Sequence, residues 1–326
     1  CVSQADDDTA DPADDDDSAD DDDSSLDPLP DGLPEHLVEY WTLCQQAPTI
    51  PSGTGYDGLL TDTHVHTNVA QDPVAFGVEL LQEMNATGVD RVVVQSDHFA
   101  PLSSRLKLDL GWAELLPWCG RVDFLVGAFD PEDPEAPAYV TERLDAAPYA
   151  GVGELDILHV SGQMSADPAA APLLQIYADL IERGLSVHLQ ASTDPLEPLW
   201  DAQVQVMADH PDLPFAWLGC NGIVLPDELS HVACTVVPEL DSLLPPDPAA
   251  IERHYRRSLI GSDMAPLGFP SPASELLGWD SFAEAMLEAR TMLGQRDLPE
   301  DVEYAYARGN FDRTWSRAVE HLRLLL

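Results

Sequence analysis

Basic residues are scarce in this chain of 326 residues, which has 15 Lys and Arg against 59 Asp and Glu and a formal net charge of −44. Lys107 is the only lysine. Such a surface repels the phosphate backbones of DNA and RNA, so nucleic acid is excluded as a partner. No stretch approaches the roughly 18 uninterrupted apolar residues of a membrane span, which leaves a covalent lipid as the expected means of membrane attachment.

The sequence also lacks a CxxC pair, and its five cysteines lie far apart. Setting Cys1 aside leaves an even number of them, at Cys44, Cys119, Cys220 and Cys234. Two disulfides in an exported protein would use all four, whereas an intracellular protein would keep them as buried thiols. The spacing favours neither alternative.

The first 31 residues contain fourteen Asp and no Lys or Arg. This composition can bury almost no apolar surface, so we expect a disordered acidic tether over residues 1–34 and a single barrel domain over residues 35–326. Cys1 followed by a polar spacer resembles the start of a mature bacterial lipoprotein, which implies export and a lipid on Cys1. An arbitrary start of the chain is the alternative.

Short apolar runs alternate with longer amphipathic segments from about Leu33 onward. The alternation predicts βα units around a parallel sheet, with strands at residues 58–62, 91–95, 122–127, 151–155, 185–189, 214–218, 231–236 and 258–260. Eight units in a row predict a (β/α)8 TIM-type barrel, distorted at strand 7 because the stretch before that strand is short. A doubly wound sheet is the alternative fold.

Two helix boundaries follow from capping residues. A helix through Leu173 and Tyr177 should end at Gly184, and another should begin at Asp280 and end at Gly294. The segments 98–112 and 265–272 are expected to be βα loops, which set substrate specificity in barrels of this kind.

Metal-binding side chains stand at the predicted strand ends. In "TDTHVH", His64 and His66 are two residues apart, so both imidazoles point to the same side of a strand and can bind one cation. Glu154, His188 and Asp263 end later strands. Because these ends meet at the mouth of a barrel, the five residues are expected to come together. Taken singly, His188 could be a buried histidine bonded to backbone, Asp263 a helix cap and Glu154 the partner of an arginine.

The same stretches resemble the amidohydrolase superfamily of metal-dependent hydrolases, in its amidohydrolase-2 and TatD-like branches. "TDTHVH" is similar to the strand-1 motif of that family, "LSVHLQ" to its strand-5 histidine and "LIGSDMAP" to its strand-8 aspartate. The resemblance covers roughly residues 58–318. It implies His64, His66, His188 and Asp263 as metal ligands, with Asp263 also holding the attacking water and receiving its proton. The "GE" of TatD-type nucleases implies Glu154 as a further ligand.

The sequence departs from the family at strand 6. Gly219, followed by Cys220 and Asn221, stands where the family usually carries a histidine. The bridging strand-4 lysine of some branches is excluded, because Lys107 precedes strand 3. Both departures favour one metal ion over two, and Zn²⁺ suits the imidazole and carboxylate ligands.

The expected function is hydrolysis of an amide, ester or lactone bond in a small-molecule substrate by metal-activated water. Asp263 would transfer the proton, Glu154 is a further catalytic candidate, and the metal with His98 or Asn221 would stabilise the developing oxyanion. "QSDHF" after strand 2, taken with "DTHVHTN", resembles the polymerase and histidinol phosphatase family of phosphoesterases, in which His98 would be a metal ligand. Two further candidate functions are a metal-dependent decarboxylase and a non-catalytic barrel that acts as a surface binding lipoprotein.

Overall fold

The computed structural model describes most of the domain that was predicted to form the barrel. The described residues are 28–67, 72–96, 101–156, 166–190, 200–218, 225, 227–236, 248–266, 280–296 and 298–312. The greater part of the predicted tether lies outside them, as do His98, Gly219, Cys220 and Asn221. None of the helices in the described ranges combines the length and the apolar character that crossing a bilayer requires.

Eight parallel strands form one sheet in which each strand pairs with the next strand along the chain. They are β1 Leu60–Thr67, β2 Val89–Ser96, β3 Val122–Val126, β4 Gly151–Asp156, β5 Ser186–Gln190, β6 Phe215–Leu218, β7 Val232–Val236 and β8 Ser258–Ile260. A parallel bridge between Val65 of β1 and Met264, just after β8, joins the two ends of the sheet. This order and closure confirm the (β/α)8 barrel and exclude the doubly wound sheet, in which the strand order reverses.

The strand positions follow the predicted ones closely, with two differences. Strand β1 continues to Thr67, so both histidines of the motif lie within the strand rather than after it. Strand β7 pairs with both neighbours without a register shift, so the irregularity considered for this strand is not seen over Val232–Val236. Register shifts occur between Leu60 and Thr61, between Asp62 and Val65 and between Val152 and Leu155. Such irregularities re-aim side chains, and the last two flank His64 and Glu154.

Helices lie between the strands and against the outside of the sheet. They are α1 Val38–Gln45, α2 Pro73–Thr87, α3 Leu102–Leu115, α4 Ala136–Ala146, α5 Ala171–Arg183, α6 Trp200–Asp209, α7 Pro248–Tyr255, α8 Phe282–Gln295 and α9 Glu300–Tyr304. Helix α5 ends at Gly184, which has a left-handed φ of 70°, as predicted. Helix α8 is capped by Ser281 rather than Asp280. Gly294 does not end α8 but lies inside it, where a Cβ would stand 2.4 Å from the Cα of Gly55.

Helix α3 replaces most of the loop that was expected over residues 98–112. Leu108, Trp112 and Leu115 recur at helical spacing and are all buried, so this stretch packs against the core as a helix. The Trp112 ring stacks on Phe124 of β3, with the ring centroids 5.2 Å apart. Trp112 is therefore part of the core.

Disulfide bonds link distant parts of the chain. Cys44 of α1 is bonded to Cys119, just before β3, across a sequence separation of 75 residues. Cys234 of β7 is disulfide-bonded as well. The alternative in which these cysteines are unpaired thiols was therefore wrong for all three, and a bond of this span restricts the unfolded chain.

Candidate metal centre

His64 and His66 of β1 direct their imidazole rings into the mouth of the barrel. The two Nε2 atoms are 2.8 Å apart, and the ring centroids are 4.7 Å apart. The two residues are only 7% and 6% exposed. A strand places alternate side chains on one face, which accounts for this pairing without help from the rest of the fold.

Asp263 reaches the same point from the segment after β8. Its Oδ1 lies 2.8 Å from Nε2 of His66 and 3.3 Å from Nε2 of His64. The residue adopts a left-handed φ of 59°, and its N–H donates to the carbonyl oxygen of His64 at 2.9 Å. A positive φ at a residue with a side chain costs free energy, so the surrounding contacts must hold it in place.

Asp62 and Gly261 hold β1 against the end of β8. The buried carboxylate of Asp62 accepts hydrogen bonds from the N–H groups of His64, at 2.9 Å, and of Ser262, at 3.1 Å. Burial raises the pKa of Asp62 to about 6, although these hydrogen bonds favour the charged form. At Gly261 a Cβ would stand 2.2 Å from Cγ2 of Thr235 and 2.9 Å from Cβ of His64. The close approach of the two strands therefore depends on a glycine at this position.

Glu154 and Gln95 complete the surroundings of the two histidines. The Oε2 atom of Glu154, on β4, lies 3.5 Å from Nε2 of His66. The side-chain amide of Gln95, on β2, lies 2.8 Å from Nε2 of His64 and 3.4 Å from Oε2 of Glu154. Gln95 was not among the residues predicted for the site. A signal was present, because Gln95 ends a strand that pairs beside β1, and it stands opposite His66 in the register.

His188 of β5 is fully buried near these groups but does not belong to the tight cluster. His64, His66 and Asp263 offer ligand atoms that all lie within 4.8 Å of one another, and no larger group of this kind includes His188 among the described residues. Burial, followed by the nearby His64, lowers the pKa of His188 to about 3, while Glu154 acts in the opposite direction. His188 is therefore neutral at physiological pH, with one ring nitrogen that donates a hydrogen bond and one that accepts.

Asp263 carries a negative charge in the cluster. Burial alone would raise the pKa of Asp263, but hydrogen bonds and charge interactions with His64 and His66 outweigh it and hold that pKa well below its usual range. The Asp263 side chain is 36% exposed, against 9% for His64, 8% for His66 and 2% for Glu154. Asp263 is thus an ionised group on the solvent side of a buried cluster.

The donor set fits a divalent cation. Two atoms that bind one such ion, each about 2.1 Å from it, lie about 3.0 to 3.4 Å apart. The nitrogen and oxygen atoms of His64, His66 and Asp263 lie 2.8 to 3.3 Å apart. Imidazole nitrogens and carboxylate oxygens are the ligands that zinc and related first-row metals prefer. A dication would also offset the negative charge of Asp263.

Comparison with solved structures finds other proteins of similar fold. No protein-family model and no curated protein sequence matches the chain. Among solved structures, 4-oxalomesaconate hydratase from Rhodopseudomonas palustris is similar over 82% of this chain and 98% of its own, with 12% identity and a TM-score of 0.52. A 2,6-dihydroxybenzoate decarboxylase in complex with 2,6-dihydroxybenzoate is similar over 79% of this chain and 99% of its own, with 13% identity and a TM-score of 0.51. Likeness at this identity shows a common fold.

Proposed function

We propose that this protein is a metal-dependent hydrolase that cleaves an amide, ester or lactone bond in a small-molecule substrate. The observation that carries the proposal is the convergence of His64, His66 and Asp263 at the C-terminal ends of barrel strands. Active sites of this fold lie at that end of the barrel. The cation expected from the imidazole donors is Zn²⁺, with one ion bound per chain.

The residues of the centre would have different chemical roles, which follow from how exposed each side chain is. A bound divalent cation would supply Lewis acidity, which polarises a substrate carbonyl and lowers the pKa of water. His64 and His66 are buried and would hold the cation. The Asp263 side chain faces solvent beside the two histidines, so its carboxylate would orient a water molecule and accept its proton. Glu154 is buried, with its Oε2 atom 3.5 Å from Nε2 of His66, where a carboxylate would increase the affinity for a cation.

Metal analysis of the purified protein tests the first half of this proposal. Protein prepared without chelators should contain about one divalent ion per chain, because two imidazoles and a carboxylate converge on one point. His66→Ala should lose that ion. His36→Ala is a matched control, because His36 is exposed and paired with Glu114 at 2.9 Å, and it should keep the ion. Wild-type protein that neither contains nor binds a divalent ion would refute the metal centre.

A substrate panel tests the second half. Esters, lactones and amides should be hydrolysed by wild-type protein, and the activity should disappear with a chelator and return with Zn²⁺. Release of CO₂ from aromatic carboxylic acids, without hydrolysis, would show a decarboxylase instead. Turnover restricted to phosphoesters would favour a phosphoesterase. Tight metal binding with no turnover of any substrate would favour a non-catalytic binding protein.

We further propose that the protein is exported and held at the cell surface by a lipid on Cys1. The disulfides at Cys44, Cys119 and Cys234 support export, because such bonds persist in oxidising compartments and are rare in the cytosol. Metabolic labelling with a fatty-acid analogue should modify the wild-type protein but not Cys1→Ser. Equal labelling of both would contradict the assignment of the lipid to Cys1.

A further inference from the structure

We propose that Gln95 is a metal ligand. Its side-chain oxygen would complete the cation site formed by His64, His66, Glu154 and Asp263. This inference rests on the metal centre of the proposed function and extends it. The amide group of Gln95 is close enough to the cluster, is held rigidly enough and has an oxygen in need of a partner. These three properties distinguish it from an ordinary buried glutamine.

The first property of Gln95 is its position in a closed ring of side-chain nitrogen and oxygen atoms. Around the ring, His64 to His66 is 2.8 Å, His66 to Glu154 is 3.5 Å, Glu154 to Gln95 is 3.4 Å and Gln95 to His64 is 2.8 Å. Asp263 lies over the edge formed by the two histidines, at 2.8 and 3.3 Å. All six separations are close to the about 3.0 to 3.4 Å expected between ligands of one cation. Neighbouring atoms of the ring are therefore spaced like adjacent ligands of one cation, and the ligand atoms of His64, His66 and Asp263 all lie within 4.8 Å of one another.

The second property is rigidity. Gln95 is fully buried, and its backbone lies within β2, opposite His66 in the register with β1. A buried side chain on a strand loses little further conformational freedom when it binds a ligand, since folding has already restricted it. Gln95 is thus fixed in the position that a coordinating group requires.

The third property is the state of its oxygen. The Oε1 atom of Gln95 is buried and has no hydrogen-bond partner among the described residues. A buried polar atom without a partner costs about 1 to 3 kcal/mol, so a partner in the functional protein is expected. Rotation of the amide by half a turn exchanges Oε1 with Nε2. It would place the oxygen in the ring, where a cation can bind it, and move the amide nitrogen to the position that Oε1 leaves.

A competing role is that Gln95 acts only as a donor. In that case its amide nitrogen donates to Oε2 of Glu154 and orients the carboxylate, with no direct contact to the metal. The two roles predict opposite effects on metal binding when Gln95 is replaced by glutamate. A ligand can be replaced by another oxygen donor such as glutamate, whereas a donor to Glu154 cannot, because two carboxylates would repel each other.

Zn²⁺ affinity of three variants distinguishes these roles, measured by competition with a chromophoric chelator on the whole protein. Gln95→Met removes both polar atoms and should weaken binding at least about tenfold, the lower range for groups around a metal site. Gln95→Glu should bind Zn²⁺ as tightly as wild type or more tightly. Gln203→Met changes a buried glutamine of α6 and should leave the affinity unchanged. Circular dichroism of each variant verifies folding before the titration.

Two outcomes would overturn the assignment. Wild-type affinity in Gln95→Met would show that Gln95 has no part in the site. An equal loss in Gln95→Met and Gln95→Glu would show that it acts only through Glu154. Both results leave the metal centre itself intact, whereas wild-type protein that does not bind Zn²⁺ would refute the centre and the proposed function together.

Discussion

Replacing Asp109 by asparagine should make the protein more stable at neutral pH and change how its stability depends on pH. Asp109, on α3, is fully buried. Its carboxylate accepts hydrogen bonds from the N–H of Gly127 at 3.4 Å, the N–H of Ala128 at 3.1 Å and the hydroxyl of Tyr139 at 2.8 Å. These bonds tie α3 to the end of β3, and none of them involves a residue of the metal centre.

The magnitude follows from the pKa of this group. Burial raises the pKa of Asp109 from 3.8 to about 6, although the hydrogen bonds and Arg105 favour the charged form. A higher pKa in the folded state means that folding favours the protonated carboxyl. The stability that this group contributes is full below pH 3.8 and is lost as the pH rises through about 6. At about 1.4 kcal/mol per pKa unit, the ionised carboxylate costs about 3 kcal/mol at pH 7.

Asparagine avoids the charge but loses one acceptor. Its oxygen can still accept from Ala128 and Tyr139, while the longer bond from Gly127 is given up at a cost of about 1 kcal/mol. Asp109→Asn should therefore be about 2 kcal/mol more stable than wild type at pH 7 and about 1 kcal/mol less stable below pH 4. The difference between the two proteins should change by about 3 kcal/mol over this range.

Urea unfolding followed by circular dichroism, repeated at several pH values between about 4 and 7, measures this difference. Taking the difference between wild type and Asp109→Asn cancels the contributions of all other titrating groups. Tyr139→Phe removes a hydrogen bond that lowers the pKa of Asp109, so that pKa should rise further. The stability of this variant should therefore keep falling with pH up to a higher pH than that of wild type. Parallel stability profiles for wild type and Asp109→Asn would refute the reasoning.

Two further predictions concern the scaffold of the site. The double variant Cys44→Ala, Cys119→Ala should lose about 4 kcal/mol of unfolding free energy in urea, because the disulfide closes a long loop, and a loss below about 1 kcal/mol would contradict this. Gly261→Ala should weaken Zn²⁺ binding at least about tenfold, since its Cβ would stand 2.2 Å from Cγ2 of Thr235. Adding Thr235→Ser removes that methyl group and should restore part of the affinity. Wild-type binding by Gly261→Ala alone would disprove the role of this contact.

The strands were predictable because their signal is local. Short buried apolar runs such as those of β2 and β3 occur once per βα unit, and the prediction required only their number and order. Helix boundaries were less certain. Gly184 ended α5 as expected, but Gly294 resembled a helix end in sequence and proved to be a contact with Gly55. The sequence alone does not distinguish a glycine required for close packing from a glycine required for a positive φ.

The site likewise combines features that were predictable from the sequence with features that depend on the tertiary structure. The proximity of His64 and His66 followed from strand alternation, and the expected meeting of the strand ends followed from the barrel. The part played by Gln95 did not, since it depends on the register that sets β2 against β1. The position of His188 outside the tight cluster likewise depends on where β5 lies around the barrel.

The sequence by itself determined the number and order of the strands, the acidic character of the chain and the residue types at the mouth of the barrel. Only the tertiary structure decided which of those residues approach one another, how Cys44 finds Cys119 and why Gly261 is a glycine. The physical reason is that distances between side chains on different strands depend on register, tilt and closure, which are properties of the whole barrel and are absent from any local pattern.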